Sequence, residues 1–275
     1  MKHRILSGFL VLPLAMGVSL AQQSPVITPG GTVNAATNGP KQPVAPGSLV
    51  SIYGSALAAG LALASSVPLS TSLNGTTVTI NGIPAPLDFV SANQINAQVP
   101  YELVGTTGAV NVVVNGDNGQ SVPDPVVLNP TAPGIFPVTT PAGDVYAIAY
   151  FGVDSDPRFL KFAWPPNAYP GLTTFLAKPG DILTVYATGL GAVNPTVQTG
   201  HDSQDQVRFT VADTRVLIGN ADATVYFSGL TPYFPGVYQL NIGVPQVAPG
   251  AKVPIQIQIG GVTSPANIFI GVAAP

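Results

Sequence analysis

A seven-residue strand motif occurs twice in this chain and restricts the folds available to it. Residues 94–100 have the sequence QINAQVP, and residues 239–245 have the sequence QLNIGVP. Both copies alternate polar and apolar side chains with a period of two, which predicts a strand with one buried face. Both copies end at a proline, which has no N–H group to donate to a sheet.

The residues around the motif also repeat in the same order. In each half a Pro-Gly turn precedes a strand that carries a tyrosine, and a later strand ends in an Asn/Gly pair, which is a strong signal for a tight turn. No window shows a sustained helical period, and turn signals recur about every 8–12 residues. We therefore predict an all-β protein with two tandem immunoglobulin-like β-sandwiches after a signal peptide. The repeated pairs are Pro46-Gly47 and Pro179-Gly180, Tyr53 and Tyr186, and Asn81-Gly82 and Gly219-Asn220.

Composition supports a β-rich domain with a large core. Hydrophobic residues make up 46% of the chain and charged residues only 8%, against about 25% charged in an average domain. The absence of cysteine excludes disulfides and thiolate metal sites. A net charge of −3 argues against nucleic acid as a partner, because nucleic-acid binding requires a basic surface.

The N-terminal residues predict export. Lys2 and Arg4 form a basic start, residues 5–18 are mostly apolar, and residues 19–21 place small side chains at a cleavage site. We expect residues 1–21 to be a cleaved signal peptide, the alternative being an uncleaved anchor. Later apolar segments are interrupted too often to approach the roughly 20 residues of a spanning helix. The expected localisation is secreted, cell-surface or periplasmic, and the protein is not expected to be membrane-embedded.

The repeat also predicts the domain limits. We expect the first sandwich at residues 22–130 and the second at residues 131–275. The second includes an aromatic and proline-rich loop at residues 159–171.

Several segments resemble the Solibacter-type uncharacterised C-terminal domain, a family abundant in secreted acidobacterial proteins. More distantly, each unit resembles an IPT/TIG domain, an immunoglobulin-like fold of surface receptors, adhesins and some glycan-active enzymes. The resemblance covers roughly residues 26–272. It implies an exported β-sandwich module and transfers no catalytic residues. The segments that carry it are residues 44–54 (VAPGSLVSIYG), 78–86 (VTINGIPAP), 94–100 (QINAQVP), 132–136 (APGIF) and 186–191 (YATGLG).

Catalytic signals are weak, and we predict no enzyme activity. His201 is the one histidine outside the signal peptide, and it lies in a polar segment typical of an exposed loop. No Gly-x-Ser-x-Gly nucleophile elbow is present. Residues 188–191 (TGLG) lack the third glycine and following helix of a dinucleotide loop, so we interpret them as a sheet corner.

No cofactor is expected, although two acidic segments leave a weak possibility of Ca²⁺. Asp154 with Asp156, and Asp202 with Asp205, supply oxygen atoms that could bind this ion. Calcium takes six to eight oxygen ligands, and neither segment has the full spacing of a calcium loop. Solvated turns are the simpler interpretation.

The aromatic loop is the best candidate for recognition. Phe162, Trp164 and Tyr169 lie around two stiffening prolines, and exposed aromatic faces often mark interaction sites. The alternative is that these rings fill a sandwich core or the interface between the sandwiches.

The repeated amides allow two interpretations. Alone, they suggest an amide-lined ligand site, but their recurrence in a second unit favours a structural role on the outer face of each sheet. The signature residues are Gln94, Asn96, Pro100, Gln239, Asn241 and Pro245.

The sequence favours a non-catalytic exported binding or adhesion module that recognises protein or polysaccharide at the cell surface. A structural spacer or assembly subunit of the envelope or extracellular matrix is the first alternative. A hydrolase is the second, and it would need a cleft with two facing carboxylates.

Overall fold

The structure is a computed structural model that describes residues 23–274. The predicted signal peptide lies outside the described residues. Within them, the regular elements are strands and one short 3₁₀ turn at Tyr101–Leu103. None of their helices is long and apolar enough to cross a membrane. The prediction of an all-β, immunoglobulin-like sandwich fold is confirmed.

The first sandwich is made of eleven strands in two sheets. They are β1 (Val26–Asn34), β2 (Leu49–Ser55), β3 (Ala62–Leu63), β4 (Ser72–Leu73), β5 (Thr76–Ile80), β6 (Ile83–Ala85), β7 (Leu87–Val90), β8 (Gln94–Gln98), β9 (Gly108–Gly116), β10 (Gly119–Gln120) and β11 (Asp124–Leu128). One sheet has the order β1-β2-β8-β7-β3. The other has the order β10-β9-β5-β4, with β11 beside β9 and β6 beside β5.

The second sandwich has thirteen strands whose two layers share one long strand. They are β12 (Gly134–Ile135), β13 (Pro137–Thr139), β14 (Val145–Ala147), β15 (Ala149–Phe151), β16 (Ile182–Thr188), β17 (Val193–Asn194), β18 (Phe209–Thr210), β19 (Thr214–Ile218), β20 (Ala221–Leu230), β21 (Tyr238–Gly243), β22 (Gly250–Ile259), β23 (Val262–Thr263) and β24 (Phe269–Val272). One layer runs β12-β16-β21-β20 and the other β20-β19-β22-β24-β14-β13. Strand β20 pairs with β19 at its start and with β21 afterwards.

Each sandwich encloses its own apolar core. The first core is drawn from residues 27–128 and the second from residues 135–272. In the repeated strand, Ile95 and Ala97 are fully buried in the first core, and Leu240 and Ile242 are fully buried in the second. The domain limits at residues 22–130 and 131–275 stay predictions.

The Asn/Gly pairs form the tight turns that their composition predicts. Asn81 and Gly82 have φ angles of 51° and 78°, and Gly219 and Asn220 have φ angles of 55° and 70°. Two successive positive φ angles define the turn whose twist matches paired strands, and Asn and Gly adopt it at low cost.

Equivalent bulges occur in the two copies next to the repeated strand. The register between β7 and β8 shifts between Leu87 and Phe89, and the register between β20 and β21 shifts between Val225 and Phe227. A bulge re-aims the extra side chain. Asp88 and Tyr226 occupy these positions.

The two sandwiches meet at a buried joint around Gln98. Gln98 is fully buried. Its Nε2 donates to the carbonyl of Gly47 at 3.3 Å, and its Oε1 accepts from the amide of Gly200 in the second sandwich at 2.7 Å. The hydroxyls of Tyr101 and Tyr238 meet across the joint at 3.1 Å. Burial raises the pKa of Tyr101 to about 12.

The second copy has a glycine where the first has Gln98. A Cβ built on Gly243 would lie 3.2 Å from the ring of Tyr226, which is the bulged residue. The fifth position of the motif therefore differs in role between the copies. Gln98 hydrogen-bonds the second sandwich, whereas Gly243 leaves space for the ring of Tyr226.

Candidate functional site

An open groove of about 810 Å³ lies between the sandwiches, beside the joint. One wall is the outer face of β2 and β8, and the other comes from β15, β16 and the segment after β12. Both copies of the repeat contribute a matching tyrosine to it. Its polar and aromatic lining includes Ser51, Tyr53, Gln94 and Asn96 from the first sandwich and Phe136, Tyr150 and Tyr186 from the second.

A side-chain network holds the amides on the first wall. Asn96 Oδ1 accepts from Gln94 Nε2 at 2.8 Å and from Ser51 Oγ at 3.2 Å. These bonds fix the orientation of the Asn96 amide. Among the described residues, neither Asn96 Nδ2 nor Gln94 Oε1 has a hydrogen-bond partner, so an amide nitrogen and a carbonyl oxygen remain for a ligand.

The second copy repeats this network in a different hollow. Asn241 Oδ1 accepts from Gln239 Nε2 at 2.9 Å and from Thr184 Oγ1 at 3.2 Å. Gln239 and Asn241 line a separate hollow of about 510 Å³ together with Tyr233. In each copy the two amides bond to each other along one strand and to a hydroxyl of the neighbouring strand, and they also border open space.

The prolines that end the motif lie in different surroundings in the two copies. Pro100 is buried and leads into the 3₁₀ turn that carries Tyr101, whereas Pro245 is half-buried. Both prolines follow a buried valine, Val99 and Val244.

Five aromatic rings connect the groove to the second core. Tyr186 meets Tyr150 edge-on, with their ring centroids 6.1 Å apart. Tyr150 stacks on Phe162 at 4.5 Å, Phe162 on Trp164 at 3.9 Å, and Trp164 on Tyr146 at 5.8 Å. The aromatic loop therefore supports the two tyrosines that reach the groove.

The structure corrects the expected role of Trp164. Its side chain has 0% exposure, and its Nε1 donates to the carbonyl of Ala147 at 2.8 Å. A ring without exposed surface cannot stack on a ligand, and the core-filling alternative describes it. Phe162 is covered on both faces by Tyr150 and Trp164. Tyr169 is half-buried away from the groove, and a ligand role for it stays a prediction.

An exposed aromatic pair that the sequence motifs do not predict lies at the groove's rim. Tyr233 and Phe234 are 62% and 61% exposed, between Pro232 and Pro235. Tyr233 has a φ of 72°, which is uncommon for a bulky residue. Phe234 lines both the groove and an adjacent hollow of about 440 Å³. Two aromatics enclosed by prolines were the signal that could have identified this loop.

The groove has a single charged side chain among its described lining residues, Asp88. Burial raises the pKa of this carboxyl above its ordinary value. Burial likewise raises the pKa values of Tyr150 and Tyr186. Both phenols therefore remain protonated at neutral pH and can donate hydrogen bonds.

An arginine bonds one aspartate in each of the two segments that suggested a calcium site. Arg158 forms ion pairs with Asp156 at 2.6 Å and with Asp181 at 2.8 Å. The Arg208 guanidinium hydrogen-bonds Asp205 and lowers the pKa of that carboxyl to about 2. Among residues 23–274, no group of three or more His, Cys, Asp or Glu side chains could hold a metal ion.

The glycines of the TGLG segment form a close-packed corner. A Cβ on Gly189 would lie 2.0 Å from the carbonyl oxygen of Ala132, and one on Gly191 would lie 2.3 Å from that of Pro130. Both glycines also have positive φ angles. Close backbone approach accounts for them.

Comparison with known proteins supports the immunoglobulin-like fold. A family model for the IPT/TIG domain matches residues 40–128. A search of curated proteins found no match to the chain.

Among solved structures, the full extracellular region of plexin A4 aligns with 99% of this chain at 11% identity and a TM-score of 0.25. The chain spans 17% of that plexin chain. The titin Ig tandem A164-A165 aligns with 91% of this chain and 98% of its own, at 9% identity and a TM-score of 0.20. The C-terminal domain of the Streptococcus agalactiae AgI/II polypeptide BspA aligns with 88% of this chain and 98% of its own, at 10% identity and a TM-score of 0.20. Residues 40–128, which make up most of the first immunoglobulin-like sandwich, are similar to the IPT/TIG domain.

Proposed function

We propose that this protein is an exported, non-catalytic binding module that recognises protein or glycan through the groove between its sandwiches. The observation that carries the proposal is the convergence of tyrosines from both copies with oriented amides in one open groove. Binding sites commonly combine apolar and aromatic walls with a few placed polar groups.

The buried joint supports this proposal because it holds the two walls together. Gln98 and the Tyr101–Tyr238 contact tie the sandwiches beside the groove. A site that is already formed loses less conformational entropy when it binds a ligand.

The groove's carboxylate content argues for binding without catalysis. Asp88 is the one carboxylate in its described lining, whereas glycoside hydrolysis generally uses two carboxylates that flank the scissile bond.

The proposal is tested with labelled full-length protein on glycan and peptide arrays, in parallel with single variants Tyr53→Ala and Tyr186→Ala. Tyr226→Ala is the matched control, because Tyr226 is 61% exposed and lies outside the groove's lining. We expect the groove variants to lose the signal and the control to keep it. Binding that both groove variants retain would place the site elsewhere.

A structural spacer is the second candidate, and the same joint favours it. A pair of sandwiches fixed by buried contacts suits a rigid connector. A spacer predicts no array signal, together with unchanged assembly in the groove variants.

The specific family of the chain and its cellular location are also proposals. We infer membership of the Solibacter-type family and a secreted, surface or periplasmic location from the motifs and residues 1–21. Cell fractionation tests the location, which would be wrong if the protein stayed in the cytoplasm.

A further inference from the structure

We propose that the groove's ligand is a chain of neutral sugar residues that runs past Asp88 into the adjacent hollow. This inference rests on the proposed binding function and specifies the class of ligand. Four observations support it: the continuity of the cavity, its hydrogen-bonding groups, its charge, and the strands that form its walls.

The groove continues into a second cavity. The main groove of about 810 Å³ and the hollow of about 440 Å³ share four lining residues, which are Leu49, Asp88, Phe234 and Val237. The shared residues place Asp88 and Phe234 at the middle of one elongated path. A path of this form suits a linear chain better than a single compact molecule.

The groove's hydrogen-bonding groups match hydroxyls. Asn96 Nδ2 is a donor and Gln94 Oε1 an acceptor, and the network with Ser51 fixes the Asn96 amide. A sugar hydroxyl both donates and accepts, so it satisfies both groups. A proline-rich peptide lacks N–H groups at its prolines and would leave the acceptors Gln94 Oε1 and Asp88 unpaired. The flat faces of Tyr53 and Tyr186 provide apolar surface for the ring carbons.

The charge of the lining selects against acidic polymers. Asp88 is present in both cavities, and neither has a lysine or arginine among its described lining residues. An anionic group brought beside Asp88 would be desolvated without a counter-charge, which is unfavourable.

The strands of the first wall exclude one common way of binding an extended peptide, the addition of a strand. Strands β2 and β8 are interior strands of their sheet, since β1 and β7 pair with their outer sides. Their backbone groups are therefore occupied, and a peptide cannot add as a further strand there.

Isothermal titration of the full-length protein tests the inference. The probes are cellohexaose, mannohexaose, maltohexaose and laminarihexaose, with hexagalacturonic acid and a proline-rich decapeptide for comparison. We expect at least one neutral hexasaccharide to bind, with its trisaccharide and hexagalacturonic acid each weaker by about tenfold or more, a loss of roughly 1.4 kcal/mol. Asp88→Asn should reduce the discrimination against hexagalacturonic acid. Tyr53→Ala and Tyr186→Ala, each checked for an unchanged fold by melting temperature, should weaken binding, whereas Tyr226→Ala should not.

The outcomes separate this inference from the binding function itself. No heat with any neutral hexasaccharide, or tighter binding of hexagalacturonic acid, overturns the neutral-sugar inference. Peptide binding that depends on Tyr53 and Tyr186 would overturn it too, while the groove would remain a binding site. Saccharide binding that survives both tyrosine variants would refute the groove as the site, and both proposals would fail.

Discussion

Replacing Gln98 by alanine should destabilise the protein through its joint. Gln98 lies on the face of β8 that also carries Gln94 and Asn96, but the second sandwich buries it completely. The alanine variant keeps the strand and removes both hydrogen bonds of the Gln98 side chain, one with the Gly47 carbonyl and one with the Gly200 amide.

The expected cost follows from the two groups left unpaired. The Gly200 amide loses a short bond of 2.7 Å in a buried position, and an unsatisfied buried donor costs about 1–3 kcal/mol. The Gly47 carbonyl loses a longer and weaker bond of 3.3 Å, for which we assign about 0.5–1 kcal/mol. The free energy of unfolding should therefore fall by about 1.5–4 kcal/mol.

Urea denaturation followed by circular dichroism measures this loss. The matched control is Gln94→Ala, whose side chain is half-buried and can be replaced by water, so its cost should stay below about 1 kcal/mol. Equal stabilities of the two variants would show that the bridge contributes nothing and that our account of the joint is wrong.

Four further predictions follow from burial and charge. Trp164→Ala should cost about 3–5 kcal/mol, and the tryptophan fluorescence of the wild type should be blue-shifted and resistant to acrylamide. Because burial raises the pKa of Tyr101 to about 12, its contribution to stability is complete below pH 10 and is lost as the pH rises towards 12. Urea titrations at pH 9–11 should show this loss, and Tyr101→Phe should reduce it. Burial also raises the pKa of the Asp88 carboxyl. Wild-type stability should therefore fall as the pH rises from the ordinary pKa of an aspartate through the raised pKa of Asp88, and Asp88→Asn should remove this pH dependence. Asn96→Ala and Asn241→Ala should each cost about 1 kcal/mol, seen as a lower melting temperature; unchanged melting with lost binding would make the amide a ligand contact only.

Local patterns were sufficient to predict the fold class. The period of two in the repeated strand places Ile95 and Ala97 in a core, because neighbouring side chains of a strand point to opposite faces. The Asn/Gly pairs predicted tight turns because their backbone preferences are local. Both kinds of signal are short-range.

The groove could not be predicted from the sequence, because it depends on contacts between residues far apart in the chain. Tyr53 and Tyr186 were recognised as matching positions, but their meeting in one groove depends on how the sandwiches join. The sequence predicts a ligand role for Trp164 because composition alone does not separate an exposed aromatic loop from a buried one. The exposed pair, Tyr233 and Phe234, has similar composition and was missed.

The difference between Gln98 and Gly243 makes the pair of sandwiches directional. The first sandwich has a long amide that reaches its neighbour, while the second has a glycine beneath the Tyr226 ring. The first sandwich contacts the second through Gln98, and the second sandwich has no such side chain with which to contact a further sandwich in the same way. The two copies are therefore not interchangeable, and a chain built with their order reversed would lack the bridge at its centre.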